Sequence, residues 1–154
     1  MLDKSTTGLV LVDVQGKLAR IVHNSEARIS KMVKLVKGCQ ALGVPIVWLE
    51  QYPAGLGATV PELAEVIENN SPIEKFTFNG LDTEAVLEAI KSHNKENWLL
   101  CGIESHICVY QTARGIKNLG LNAEVVTDAV SSRTSESIDL ALRKYEQQIG
   151  RAHV

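Results

Sequence analysis

The segment W-L-L-C-G-I-E-S-H-I-C-V-Y, Trp98 to Tyr110, decides the fold. Its first half, Trp98 to Cys101, is an unbroken apolar run closed by Gly102, the pattern of a strand buried on both faces. Its second half opens a helix. Ile107, Tyr110, Ala113, Ile116 and Leu119 return at close to helical spacing, and Gly120 supplies a stop. Ser105 falls at the expected N-cap, which puts Cys108 in the first helical turn. Unpaired N–H groups and the positive end of the helix dipole would favour a thiolate there, whereas a free cysteine, with a pKa of about 8.5, is mostly protonated at neutral pH. Cys108 is therefore a candidate nucleophile. The competing reading of such a cysteine is a small buried hydrophobe, since a nucleophile also needs a base and a place for an oxyanion.

The same alternation runs along the chain. Gly8 to Val12 reads as a strand ending at Asp13, and Ser25 to Leu42 as an amphipathic helix. Val44 to Leu49 is a second strand, Gln51 to Thr59 a Pro- and Gly-rich loop, and Pro61 to Ile67 a short helix. Ile73 to Phe78 is a more polar third strand, and Thr83 to Ile90 a helix capped by Asp82. After the Trp98 strand and the Cys108 helix, Ala123 to Thr127 forms a fifth strand and Ser135 to Gln147 a last helix. Strands alternating with helices predict an α/β fold, a three-layer, doubly wound, Rossmann-like parallel sheet flanked by helices. In the strand order 3-2-1-4-5, the first and fourth strands are neighbours, and ligands bind in the crevice between their carboxyl ends. Topology thereby brings Asp13 and Cys108 to one crevice.

Composition narrows the function. The chain has 154 residues, 45% hydrophobic and 22% charged, enough for one domain with a substantial core. A net charge of −2, only 5% aromatic residues and no basic stretch interleaved with them argue against nucleic acid and anionic lipid, and so for a small-molecule partner. Three cysteines fit neither a disulfide framework nor a zinc cluster and suit a reducing compartment. The N-terminus has no signal or transit pattern and no apolar run is long enough for a membrane span, so a cytoplasmic location is expected.

Around Cys108 the candidates differ in strength. Asp13, a carboxylate at the end of a buried strand, needs partners and is otherwise a loop-anchoring residue. Lys75, in I-E-K-F-T-F, reads alone as a solvated edge lysine, but beside Cys108 and Asp13 it would favour a thiolate and pair with the carboxylate. His106 is two positions from Cys108 and so points to another side of a helix, which ranks it below Asp13 as base. His23, His93 and His106 show no ligand spacing, and neither metal nor cofactor is expected.

Together, L-V-L-V-D-V-Q-G-K-L-A from Leu9, Lys75, G-I-E-S-H-I-C-V from Gly102 and V-V-T-D-A-V-S-S-R from Val125 resemble the isochorismatase-like cysteine hydrolases. The likeness spans Gly8 to about Gln147, and E-Q-Y-P-A-G-L-G-A-T-V-P-E from Glu50 and V-Y-Q-T-A from Val109 resemble the subgroup of isochorismatase domain-containing proteins. The resemblance implies the isochorismatase-like hydrolase fold and a triad of Asp13 as general base, Lys75 as charge stabiliser and Cys108 as nucleophile. It also implies a cis peptide between Ile103 and Glu104, with the Glu104 and Cys108 N–H groups as oxyanion hole. The expected reaction is hydrolysis of an amide-like or ester-like bond through a thioester. Gln15, Tyr52, Phe78, Ser105 and His106 are the expected pocket residues. Gln51, Tyr52 and Pro53 stand where nicotinamidases carry metal-binding residues, and no matching histidine set is present. A binding or scaffold protein on the same fold, and a thiol redox protein using Cys108, are the competing readings.

Members of this family continue past the last helix with a further strand and helix, which are expected to be missing here. Residues 1–148 are read as a C-terminally truncated domain. Ile149 to Val154, I-G-R-A-H-V, reads like a translated sequencing adapter, so these residues are expected to be foreign, His153 to have no functional meaning, and the fragment to be less stable. The full-length form is expected to be a homo-oligomer.

Overall fold

A computed structural model describes residues 2–152. Six parallel strands form one sheet in the order β3-β2-β1-β4-β5-β6. They are β1 (Thr7–Val12), β2 (Ile46–Gln51), β3 (Ile73–Lys75), β4 (Asn97–Ile103), β5 (Asn122–Ser131) and β6 (Arg151–Ala152). The helices are α1 (Leu18–Ile21), α2 (Ser25–Ala41), α3 (Pro53–Leu56), α4 (Pro61–Ala64), α5 (Glu84–Ser92), α6 (Tyr110–Asn118) and α7 (Ser135–Gln148). The first five strands take the predicted order, so β1 and β4 are neighbours, with Val12 opposite Gly102.

Alternating side chains of the central strands feed two apolar cores. Leu9, Leu11, Trp48, Cys101 and Ile103 pack under Ile29, Met32 and Val36 of α2. Val10, Val12, Leu49, Leu100 and Val125 pack against Val86 and Ile90 of α5, Ala113 and Ile116 of α6, and Tyr145 of α7. β1 is completely buried, as expected of a central parallel strand. Among the described residues, no helix is long and apolar enough to cross a membrane.

Several boundaries differ from the sequence reading. β3 stops at Lys75 instead of Phe78, because the chain bends away from the sheet after Lys75 and leaves Phe76 and Phe78 partly exposed to solvent. Asp82 does not cap α5: it belongs to a 3-10 turn, and Thr83 takes the cap position. Ser105 is not an N-cap either. The chain enters α6 through a π-helical turn, Ser105–Val109, in which the Val109 N–H reaches the Glu104 carbonyl at 3.2 Å. Ser105 is buried, with its hydroxyl on Ser132 Oγ. β5 is twice as long as expected, ten residues against five, since V-T-D-A-V-S stays extended through a register shift against β4. Arg151 and Ala152 add a two-residue strand to the β5 edge, pairing with Val125 and Val126. Any extended dipeptide can satisfy such an edge through its backbone alone. His153 and Val154 lie outside the described residues.

Gly102 is the contact on which the β1–β4 crevice is built. Its φ is +130°, and a Cβ there would stand 2.1 Å from the Val12 carbonyl oxygen. No L side chain fits that space without moving the strands. Gly102→Ala is expected to lower unfolding free energy by about 2 kcal/mol or more in urea denaturation. A loss below about 0.5 kcal/mol would mean that the strands part there without cost.

Candidate active site

The carboxyl ends of β1, β2, β3 and β4 meet at a cavity of about 390 Å³ lined by Asp13, Gln15, Gln51, Glu104, Cys108 and Arg133, with apolar walls from Leu18, Leu56, Phe78, Ile103 and Ile107. Asp13 follows β1 with φ +55°, a left-handed conformation that aspartate tolerates better than most residues. Its Oδ2 accepts from Lys75 Nζ at 2.8 Å. Lys75 ends β3 and its ammonium is fully enclosed. It makes two further bonds, to Gln51 Oε1 at 2.6 Å and to the Thr77 carbonyl at 2.9 Å. An ammonium has three protons, and all three are used.

Cys108 sits in the π turn, 8% exposed, and lines the same cavity as Asp13. Its thiol is close enough to Asp13 for the two groups to shift one another, although Asp13 Oδ1 makes no conventional hydrogen bond. Burial pushes the Cys108 thiol up to about 12, the Asp13 charge adds to this, and Lys75 opposes it without prevailing. The expectation of a resting thiolate is therefore corrected: desolvation and a neighbouring carboxylate outweigh the helix end. Burial also raises Asp13 above the usual carboxylate range, against the opposing pull of Lys75. A protonated thiol thus lies beside a carboxylate of raised basicity, and an arrangement of this kind can pass a proton from the sulfur to the carboxylate.

The peptide bond between Ile103 and Glu104 is cis. The Glu104 side chain accepts from Arg133 Nε at 2.8 Å through Oε1. Its Oε2 lies 3.7 Å from His106 Nδ1. His106 does not line the cavity. Its Nδ1 is 2.9 Å from Ser132 Oγ, and burial holds its pKa below the usual value. The longer π turn carries its ring to the Ser132 side, away from Cys108. Ser105 is sealed in the core, where its carbonyl accepts from Tyr145, so it too is not a wall. Tyr52 is half exposed, stacks near Phe76 with ring centroids 5.7 Å apart, and stands outside the lining. Of the expected pocket residues, Gln15 and Phe78 line the cavity.

The loop after β2 is held by side chains. Gln15 donates to the Gln51 and Gly57 carbonyls at 2.9 and 2.7 Å and accepts from the Gln51 N–H at 2.6 Å. Buried Glu50 takes the Thr59 N–H and hydroxyl at 2.6 and 2.7 Å. Gln51 and Arg133 are the polar lining residues that sequence reasoning did not select. A glutamine at a strand end looks like loop, though its place after β2 was a usable signal, and Arg133 stood inside V-V-T-D-A-V-S-S-R. Among the described residues, no three His, Cys, Asp or Glu side chains converge in a way that could hold a metal ion.

Comparison with known proteins agrees with this architecture. Residues 7–152 match the family model described as the isochorismatase domain. Isochorismatase domain-containing protein 2 of Danio rerio is 36% identical over 146 residues, which covers 93% of this chain and 73% of that protein. Among solved structures, a MAR1 ribonuclease from Caenorhabditis elegans has a TM-score of 0.91 at 33% identity, covering 99% of this chain and 79% of its own. The YcaC gene product of Escherichia coli, described as an octameric hydrolase of unknown specificity, shares the fold with a TM-score of 0.92 at 23% identity, covering 99% and 77%. With nearly its whole length matched, the chain belongs to the isochorismatase domain family.

Proposed function

We propose that the protein is a cysteine hydrolase that cleaves an amide-like or ester-like bond of a small molecule through a thioester on Cys108. The observation that carries this reading is that Asp13 and Cys108 line one cavity while the enclosed Lys75 ammonium, 2.8 Å from Asp13 Oδ2, orients the carboxylate. In the first step the thiol proton passes to Asp13 while Sγ bonds to the substrate carbonyl carbon. The carbonyl electron pair moves onto oxygen, and the Glu104 and Cys108 N–H groups receive it. The C–N or C–O bond then breaks, and the leaving group takes the proton from Asp13. Water next gives a proton to Asp13 as its oxygen bonds to the thioester carbon. Sγ leaves with the electron pair and recovers that proton.

A thiol of high pKa gives a strong nucleophile once its proton is removed, so the elevated pKa of Cys108 suits a mechanism in which Asp13 removes it during attack. The cavity volume and apolar walls support a small substrate. The ribonuclease name belongs to the worm protein; a polyanionic strand would want a basic track, whereas Arg133 at this cavity is paired with Glu104. Self-association is part of the proposal, supported by the octamer described for the E. coli neighbour. The three free cysteines support the reducing, cytoplasmic location.

Intact-mass measurement with an activated aryl ester tests the chemistry, because its leaving group needs no proton. The wild type, quenched during turnover, is expected to carry an acyl adduct on Cys108, Asp13→Asn to form that adduct about 10²-fold or more slowly for want of its base, and Cys108→Ala to lose about 10³-fold or more in turnover. Turnover indifferent to Cys108 would sink the mechanism. A scaffold predicts no adduct at all, and a redox protein predicts oxidised rather than acylated cysteine.

The acid limb of kcat/KM is expected to follow Asp13. Protonating the base abolishes attack, so activity falls as pH drops through a pKa above the usual carboxylate value of about 4. Lys75 lowers that pKa, so Lys75→Met should move the limb to higher pH; an unmoved limb contradicts the assignment. Asp13→Asn has the opposite effect on the thiol. Without the carboxylate, the Cys108 pKa should fall below about 12, read as the pH dependence of iodoacetamide alkylation.

A further inference from the structure

The polar groups of the cavity can be counted for what they leave to a bound molecule. Gln15 has no free donor, since both Nε2 protons are held by the β2 loop, and its Oε1 already accepts from the Gln51 N–H. Lys75 is equally occupied by Asp13, Gln51 and Thr77. Glu104 Oε2 has no hydrogen-bond partner among the described residues, but it is sealed from solvent and does not reach the cavity surface.

Gln51 is different. Its Oε1 accepts from the Lys75 ammonium, a group that can only donate, so the orientation of the amide is determined and Nε2 is the end left over. That Nε2 makes no hydrogen bond among the described residues, and Gln51 lines the cavity. Arg133 lines it too, on the Glu104 side. Its Nε is held by Glu104, and neither Nη makes a hydrogen bond among the described residues. Apart from the Asp13 and Cys108 groups, the cavity-lining side chains with N–H groups that have no partner among the described residues are Gln51 and Arg133.

We infer that Gln51 and Arg133 are a donor pair that selects substrates carrying an oxygen acceptor, a carboxylate or a second carbonyl, beside the bond to be cleaved. This rests on the hydrolase reading for the bond itself, and names the substrate class. An ammonium-bearing substituent placed against this pair would meet the Arg133 cation and the Gln51 N–H groups, which are donors, where it needs an acceptor. A purely apolar one would bury the Gln51 N–H groups unpaired, which costs affinity.

Four amides of similar length separate the cases: succinamate, succinamide, butyramide and 3-aminopropanamide. Binding is measured by calorimetry on the Cys108→Ala protein, and ammonia release on the wild type. Succinamate and succinamide are expected to bind about tenfold or more tightly than butyramide, with 3-aminopropanamide weakest. Gln51→Glu keeps the acceptor for Lys75 and replaces the two free N–H donors by an oxygen; it should reverse the order of succinamate and 3-aminopropanamide. Loss of the Lys75 contact alone would not produce that reversal. Arg133→Met should bring succinamate and succinamide to within about threefold if the arginine reads the carboxylate charge, and should weaken both alike if it reads a carbonyl oxygen. Butyramide binding within about threefold of the two acceptor-bearing amides, no binding by any of the four, or an order untouched by Gln51→Glu would overturn the assignment. Ammonia release is judged separately. The expected binding order without release leaves the donor pair standing and removes the hydrolase reading, while release without the order does the reverse.

Discussion

The ion pair between Lys75 and Asp13 is the constraint around which the crevice is organised. An ammonium with no exposed surface is costly to enclose, and it persists only where each of its protons has an acceptor. Here the acceptors come from three places: the residue after β1, the last residue of β2, and the turn that follows β3. Three strand ends are thereby held to a common point. Removing any one acceptor would leave a buried charge poorly compensated, so the geometry of the site and the stability of this end of the sheet depend on the same atoms.

Burial then sets the electrostatics. A low-dielectric crevice disfavours both the thiolate and the ionised carboxylate, so Cys108 and Asp13 are raised together, and their titration belongs to the pair. The helix end near Cys108 is too weak a field to reverse this. What burial takes away in resting thiolate it returns as basicity on Asp13, and Lys75 keeps that basicity within bounds. Glu104 and Arg133 form a second ion pair on the same cavity, which fixes the guanidinium through Nε and leaves its Nη groups to the cavity.

Much of this was legible in the sequence, for identifiable reasons. Apolar runs ending in Gly102 and Asp13 marked strands buried on both faces, and the parallel winding brought their ends together. Lys75 was recognisable only through the family resemblance, because a lysine at the end of a three-residue strand looks solvated until its neighbours are known. Ser105 and His106 fall outside the cavity because the chain makes a wider π turn where the sequence pattern predicts the first turn of a regular helix, and a bond reaching five residues back rotates each side chain away from the side a regular helix would give it. Tyr52 looked like pocket because it follows β2, but its left-handed backbone, φ +36°, turns it outward. The Thr77 carbonyl had no sequence signal, since a backbone acceptor carries no residue identity. The end of β5 eluded reading because T-D-A-V-S-S mixes polar residues into a strand that runs past its neighbour's bulge.

The way Gln15 holds the loop after β2 has a consequence for how such a site can diversify. The wall from Gln51 to Thr59 is attached by one side-chain amide to two of its carbonyls and an N–H, and by Glu50 to its far end. These fastenings grip the main chain and ignore the residues displayed between them. Leu56, which stands between these fastenings and lines the cavity, can therefore be exchanged like the tooth of a key while the bow stays in the lock, reshaping the apolar wall without disturbing the main chain that carries it.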